Sequence, residues 1–274
     1  FKSLDEIARA KGEIFSGVVN GGHAVINRDD TRSRILSRMA TEAGIKNIWG
    51  FGENTRSQFR LLNFEPQDER SSVTIKVAGT ELTGVVGAPG RHMVQNALAA
   101  IGAGHLAGAD AALLLQALGS FVAGEGRGKR YRLRHREGAF TLIDESYNAN
   151  PASMRAAIHG TPVAGEGRRI AVLGDMPELG AHSAKLHTAL AEIIGATSID
   201  TLFLAGPEMK ALADNPPDGR KVEYREHAED LLPLLLESVK PGDAVIIKSS
   251  KGTGFSKLVE ALLRNFSVEK PVRA

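Results

Sequence analysis

Two hydrophobic periods alternate along this chain. Leu4, Ile7, Ala8, Lys11 and Phe15 fall at the i, i+3, i+4 spacing of a helix, predicted over about Leu4–Lys11, with Ser3 and Glu6 placed for a capping box. That spacing puts Lys11 on the apolar face. Its stem then either snorkels to solvent or, if the amine is buried, desolvation favours the neutral, reactive form. Apolar runs at His23–Asn27 and Asn47–Gly52 predict short strands around a helix over Thr31–Ala43, which Asp29 and Asp30 can cap. Between Arg56 and Val86 the period becomes two. Gln58–Phe64, Ser72–Val77 and Glu81–Val86 predict antiparallel strands, with a turn at Gly79-Thr80. Helices are predicted from Arg91 to about Gly108 and over Asp110–Ala117; His92 and Asn96, four apart, share a face of the first.

Gly124-Glu125-Gly126-Arg127-Gly128-Lys129 is the most linker-like stretch, and it divides the chain into expected domains 1–126 and 127–274. It is no P-loop, because Arg130 follows Lys129 and Ala123 stands where the first motif glycine belongs. Beyond it, strands predicted at Phe140–Ile143, Arg169–Leu173, Thr201–Leu204, Val222–Tyr224 and Ala244–Ile247 alternate with helices. The helices are predicted at about Pro151–His159, His182–Ile194, Pro207–Ala213, His227–Ser238 and Phe255–Asn265. The class is therefore α/β: a Rossmann-like, mostly parallel sheet in the second domain, and some antiparallel strands in the first. No G-x-G-x-x-G follows the first of these strands, so a nicotinamide dinucleotide site has no support.

Composition narrows the picture. At 274 residues with 42% hydrophobic and 24% charged positions, the chain suits two soluble globular domains. A net charge of +2 without a basic block gives no reason to expect nucleic acid as a partner. Without cysteine, disulfides and thiolate–zinc sites are excluded, which is compatible with a cytoplasmic setting. No apolar run reaches the roughly 18 residues of a membrane span. The sequence opens at Phe1 without methionine and runs straight into a helix, so a fragment of a longer chain is expected.

The chemistry gathers where the second sheet's strands end, the usual ligand edge of such folds. Asp144-Glu145 follow the first predicted strand, Gly174-Asp175-Met176-Pro177-Glu178 the second, and Lys248-Ser249-Ser250-Lys251-Gly252 the last. Carboxylates and a basic, hydroxyl-rich turn suit a polar substrate carrying both amine and carboxylate; helix capping is the plainer use of each loop taken singly. Phe140–Met154 is the densest stretch: a buried strand, two carboxylates, a polar turn, and then Asn150-Pro151 fit for the N-cap and first turn of a helix.

Asp144-Glu145-Ser146-Tyr147-Asn148-Ala149-Asn150-Pro151-Ala152-Ser153-Met154 resembles a signature of the Mur ligase family. Val172-Leu173-Gly174-Asp175-Met176-Pro177-Glu178-Leu179-Gly180, with His187 downstream, resembles the family's next motif. Ala8–Phe15, Ala24–Asn27 with Asp29-Asp30, and Gly90–His92 through Asn96–Ala100 resemble parts of its central domain. The resemblance implies that residues 1–126 are the second half of a central ATPase domain and 127–274 the C-terminal ligase domain. Within the family it points to the branch that joins D-Ala-D-Ala to a UDP-N-acetylmuramoyl-tripeptide in peptidoglycan synthesis. There ATP and Mg2+ convert a carboxylate to an acyl phosphate, which the amine attacks. Such an enzyme is expected to be cytoplasmic and monomeric.

The resemblance also implies roles. Lys11 falls at a lysine that is carbamylated in the family and only then binds metal; Lys11 and Asn150 are the catalytic candidates. His92, Asn96, Arg127, Asp144, Tyr147 and Asn148 are expected on ATP, with Asn96 at adenine, Arg127 near the phosphates and Asp144 on ribose. Asp175, Glu178, Lys248 and Ser250 are expected near the amine substrate. Met93 stands where many relatives have a second asparagine, and Lys248-Ser249-Ser250-Lys251 replaces K-G-S-R, an exchange that is not neutral where an arginine binds in bidentate fashion. The family's P-loop and uridine-binding domain are not among these residues, so the chain alone is expected to be inactive. A sibling ligase of the folylpolyglutamate synthase type and a non-catalytic ligand-binding module are the alternatives; Tyr147-Asn148-Ala149-Asn150 speaks against the first.

Overall fold

The computed structural model describes residues 3–67, 70–161 and 167–269. Phe1 and the last five residues of the second expected domain lie outside them. The chain divides into two compact units, Phe1–Val122 and Ala123–Ala274.

In the first unit a five-stranded sheet runs in the order β1 (His23–Asn27), β2 (Asn47–Gly52), β3 (Phe59–Pro66), β4 (Ser71–Val77) and β5 (Thr80–Val86). The first three strands pair in parallel and the last three antiparallel, as the change of period predicts. Around it lie α1 (Leu4–Gly12), α2 (Ser33–Glu42), α3 (Arg91–Leu106) and α4 (Ala111–Gly119). Phe59, Leu61, Val73 and Ile75 pack against Val94, Leu98 and Ile101 of α3. Gly102 lets that helix come down on the Phe59 ring, where any side chain would collide.

Two expectations are corrected here. Lys11 is exposed; Ala8, Gly12 and Phe15 are the buried positions, so only the snorkelling alternative survives. The Ser3 cap does form, its hydroxyl accepting from the Glu6 amide at 3.2 Å. Asp29 caps nothing: α2 has Arg32 at its N-cap and no side-chain cap bond. Gly52, at φ +129°, turns the chain so that the amides of Glu53 and Asn54 donate to the Asp29 carboxylate at 2.8 and 2.9 Å, which ties the ends of β1 and β2.

The second unit holds six strands: β6 (Lys129–His135), β7 (Gly138–Glu145), β8 (Arg169–Gly174), β9 (Thr201–Ala205), β10 (Lys221–Arg225) and β11 (Ala244–Lys248). Their order is β10-β9-β8-β11-β7-β6, all parallel except β6, which runs antiparallel to β7. β9 and β11 are buried at every position, because helices cover both faces and leave two apolar cores. The covering helices are α5 (Pro151–Gly160), α6 (Ser183–Thr188), α7 (Leu190–Gly195), α8 (Lys210–Ala213), α9 (Leu232–Ser238) and α10 (Phe255–Asn265).

β6 was not legible as a strand. Only Leu133 is fully buried there; Arg132 and Arg134 face outward and share Glu269, while Glu269 donates its amide to the Arg132 carbonyl at 2.8 Å. The single helix expected over His182–Ile194 is broken into α6 and α7. The Thr188 hydroxyl donates to the Ala184 carbonyl at 2.9 Å, a back-bond of the kind that bends helices. The helix expected over His227–Ser238 starts as a 3-10 turn at Ala228–Leu231 and becomes α9 only at Leu232, next to Pro233, which has no N–H to give.

Candidate active site

The parallel register sets Lys248 of β11 beside Glu145 of β7, and Ile247 beside Asp144. Two loops leave the sheet together at this edge, 144–150 and 248–254.

Asp144 is buried, at 3% exposure. One carboxylate oxygen accepts from the Gly126 amide at 2.7 Å; the other accepts from the amide and hydroxyl of Ser146 at 3.1 and 2.6 Å. A carboxylate offers about four acceptor sites, so one remains. Gly126 must be glycine: its φ is +72°, and a Cβ there would stand 2.8 Å from Tyr147.

Lys248 is also buried, at 2% exposure, and it donates to Glu145 at 3.2 Å and to the Asn148 carbonyl at 2.9 Å. It therefore holds the 144–150 loop and does not offer its amine to a cleft. Ser250 accepts from the Ala149 amide at 3.1 Å, and the Lys251 amide donates to the Tyr147 carbonyl at 3.0 Å. Asn148 turns its side-chain oxygen back on the Ala149 amide at 2.9 Å. Asn150 caps α5 in a reciprocal box with Ser153, at 2.9 and 3.0 Å.

Two clefts open beside these loops. The first, of about 220 Å³, lies under Tyr147 and is lined by Gly126, Asp144, Ser146, Lys251 and Phe255, among others. The second, of about 380 Å³, lies at the ends of β8, β9 and β10 and is lined by Asp175, Gly206, Glu226, Glu229, Thr253 and Lys257, among others. Gly252 lines both, so loop 250–254 is a common wall.

Asp175 accepts from the Met209 amide at 2.9 Å, with Gly206, at φ +115°, close against its carboxylate. Burial raises its pKa, more than its bonds to the Met209 and Glu208 amides lower it. The folded chain thus holds this proton more tightly than the unfolded chain. Asp175 stabilises fully below its ordinary value near 3.8, and that contribution is lost as pH rises through the raised folded value. Asp175→Asn, which cannot ionise, is expected to gain stability relative to the parent as pH rises across this window; urea melts of both proteins at a series of pH values between about 3.5 and 7 check it.

Of the other expected residues, Glu178 is exposed at the turn after Asp175, with φ +66°. His187 is fully buried; it accepts from the Met176 amide at 3.0 Å and lies 2.9 Å from the Ser183 carbonyl, so it braces the Asp175 loop. In the first unit, His92 and Asn96 are both exposed on one face of α3. Sequence reasoning gave no role to Ser146, and flagged Lys251 only as a replacement for the family's arginine. Ser146 carried a signal, since a hydroxyl two residues after an aspartate commonly closes a local turn.

An α/β unit whose two facing loops line clefts at the strands' carboxyl ends, preceded in the chain by a mixed-sheet unit, is the architecture of a Mur ligase. The family profile for the Mur ligase middle domain matches residues 1–104, and that for the Mur ligase glutamate ligase domain matches residues 129–251. The chain belongs to the Mur ligase family. The UDP-N-acetylmuramoyl-tripeptide--D-alanyl-D-alanine ligase of Escherichia coli is 31% identical over 268 residues, 97% of this chain and 57% of the relative. The Bacillus subtilis protein of the same name is 30% identical over 96% of this chain and 56% of its own length. The chain thus spans a little over half the length of these relatives. MurF from Acinetobacter baumannii shares the fold, with a TM-score of 0.82 at 23% identity over 96% of this chain and 56% of that one. So does MurF from Thermotoga maritima, solved in complex with ADP, with a TM-score of 0.69 at 21% identity over 89% of this chain and 53% of that one.

Proposed function

We propose that this chain supplies the adenosine-facing helix and the amine-binding domain of an ATP-dependent ligase that joins D-Ala-D-Ala to UDP-N-acetylmuramoyl-tripeptide, a step in making peptidoglycan precursor. The pair of clefts separated by one loop carries this reading, because a reaction between an activated acyl group and an amine needs two ligands held side by side. The names of the Escherichia coli and Bacillus subtilis relatives support the choice of substrates.

The residues of the first cleft fit a nucleoside. Asp144 keeps one acceptor site for a ribose hydroxyl, and Tyr147 and Lys251 stand at the rim. We assign Asn96 and His92 to the adenine side and Arg127 to the phosphates. Bound ATP with Mg2+ supplies the phosphoryl group that turns a poor acyl donor into a good one. Lys11, at the position of the family's carbamylated lysine, would contribute to the metal only as a carbamate; among the described residues no group of three or more His, Asp or Glu side chains could hold a metal.

The second cleft fits a zwitterion. Asp175, Glu226 and Glu229 face the ammonium end, and Lys257 with the backbone of Gly252–Gly254 faces the carboxylate end. The amine must lose a proton before it attacks, and Asp175, its pKa raised by burial, is suited to accept one. We place the protein in the cytoplasm as a monomer; among the described residues no helix is long and apolar enough to cross a membrane. The 274 residues contain no P-loop, and turnover by them alone is not expected.

Calorimetric titration tests the reading. ADP and D-Ala-D-Ala should each bind saturably, and Lys257→Gln should weaken the dipeptide without changing ADP. Absence of saturable binding for both ligands up to roughly 10 mM would overturn it.

A further inference from the structure

Asp175 lines the second cleft, and the hydrogen bonds that hold it close into a ring. Its carboxylate accepts from the Met209 amide at 2.9 Å and from the neighbouring Glu208 amide, both on the loop that leaves β9. On the other side, the amide of the next residue, Met176, donates to Nε2 of His187 at 3.0 Å. His187 is fully buried, and its Nδ1 lies 2.9 Å from the Ser183 carbonyl and 3.2 Å from the Ser183 hydroxyl, one turn back along α6. That hydroxyl donates to the Glu208 carboxylate at 2.6 Å, which brings the path back to the loop that holds Asp175.

The proton count allows one arrangement. Nε2 accepts an amide hydrogen, so it carries none, and the imidazole proton lies on Nδ1. The Ser183 hydroxyl gives its single hydrogen to Glu208, so Nδ1–H is the donor toward Ser183. Every bond then points to the next member: Met176 to His187, His187 to Ser183, Ser183 to Glu208, and the Glu208 and Met209 amides to Asp175. Met176 and Met209 are wholly buried, so water cannot replace either partner. Past Met176 the loop has little packing, since Pro177, Glu178 and Gly180 are exposed. The bond to His187 is its anchor.

We infer that His187, with its proton on Nδ1, is the positioning residue that sets Asp175 in the second cleft, and that Ser183 and Glu208 complete its hold. The inference rests on the amine reading above and adds to it the groups that aim the carboxylate. A histidine that only filled the core would be replaceable by an apolar side chain at a cost in stability alone. A positioning histidine, when replaced so, also changes how Asp175 titrates and how the cleft binds.

Carboxyl-carbon NMR of Asp175 and calorimetry with D-Ala-D-Ala and ADP, all on the full chain, test this. His187→Leu strips the Met176 amide of its acceptor. The loop should loosen and the Asp175 carboxylate reach water, so that its pKa falls toward the ordinary value near 3.8, because burial is the larger influence on it. D-Ala-D-Ala should weaken about fivefold, the usual effect of one hydrogen bond, with ADP unchanged. His187→Gln offers an amide oxygen in place of Nε2 and should restore both. Ser183→Ala, at a half-buried position, should move the Asp175 titration the same way and by less, which keeps the test open if His187→Leu does not fold. The ring is overturned if imidazole nitrogen NMR of the parent places the proton on Nε2, if the folded variants leave the Asp175 titration unmoved, or if His187→Gln is shifted as far as His187→Leu. A moved titration in a protein that binds no D-Ala-D-Ala would remove the amine reading and leave the ring. Saturable dipeptide binding with the titration unmoved would do the reverse.

Discussion

Replacing Asp144 with alanine should lower the unfolding free energy by roughly 3 kcal/mol and abolish ADP binding together. The stability loss follows from three donors left in a buried place: the Gly126 amide, the Ser146 amide and the Ser146 hydroxyl. Each buried donor stripped of its acceptor costs about 1–3 kcal/mol, and the hydroxyl can turn elsewhere, so the sum stays near the lower end. ADP binding is lost because the rim of the first cleft is built from the residues those bonds hold. Asp144→Asn separates the two effects. The amide keeps one acceptor oxygen, so about half the stability should return while ADP affinity stays low. Urea denaturation and calorimetry on both variants check this. An alanine variant that binds ADP like the parent would remove Asp144 from the site.

Lys248→Met should be nearly as damaging, by about 3 kcal/mol, although methionine matches the aliphatic stem. Breaking a buried pair from one side is the costly way to lose it, since the remaining charge keeps its desolvation cost without its partner. Glu145, whose side chain is 20% exposed, takes up part of that strain by reaching water, which keeps the loss at the low end of what buried pairs show. The double variant Glu145→Gln, Lys248→Met should therefore be more stable than Lys248→Met alone. Lys248→Met should also speed amide exchange at Asn148 and Ala149, whose loop it holds. If the double variant is the less stable, the pair is not what fixes the loop.

These two residues also show where sequence reasoning stopped. His23–Asn27, Asn47–Gly52 and Phe255–Asn265 were readable to the residue, because local period and turn residues decide them. So was the Asn150 cap, a local affair within four residues. Lys248 was expected at the substrate because it opens the basic, hydroxyl-rich turn at the end of a strand, where the family carries K-G-S-R. Its burial depends on the β11–β7 register, which brings Glu145 from 103 positions away. Lys11 failed in the opposite sense: the helix is real, but its apolar stripe is carried by Ala8, Gly12 and Phe15, and the lysine falls beside it. β6 was missed because an edge strand needs only one inward apolar position to stay in place, and its arginines mask the alternation.

The common wall between the clefts has a consequence for how such a protein can change over time. Residues 250–252 line the first cleft and residues 252–254 the second, with Gly252 at φ +92° and Gly254 at φ +86° fixing the curve. A substitution there that reshapes one cleft also alters the other. Change confined to the second cleft should therefore settle on its far wall, at positions such as Gly206, Glu226 and Glu229, which line that cleft alone. A lineage can then reshape the second cleft without reshaping the first.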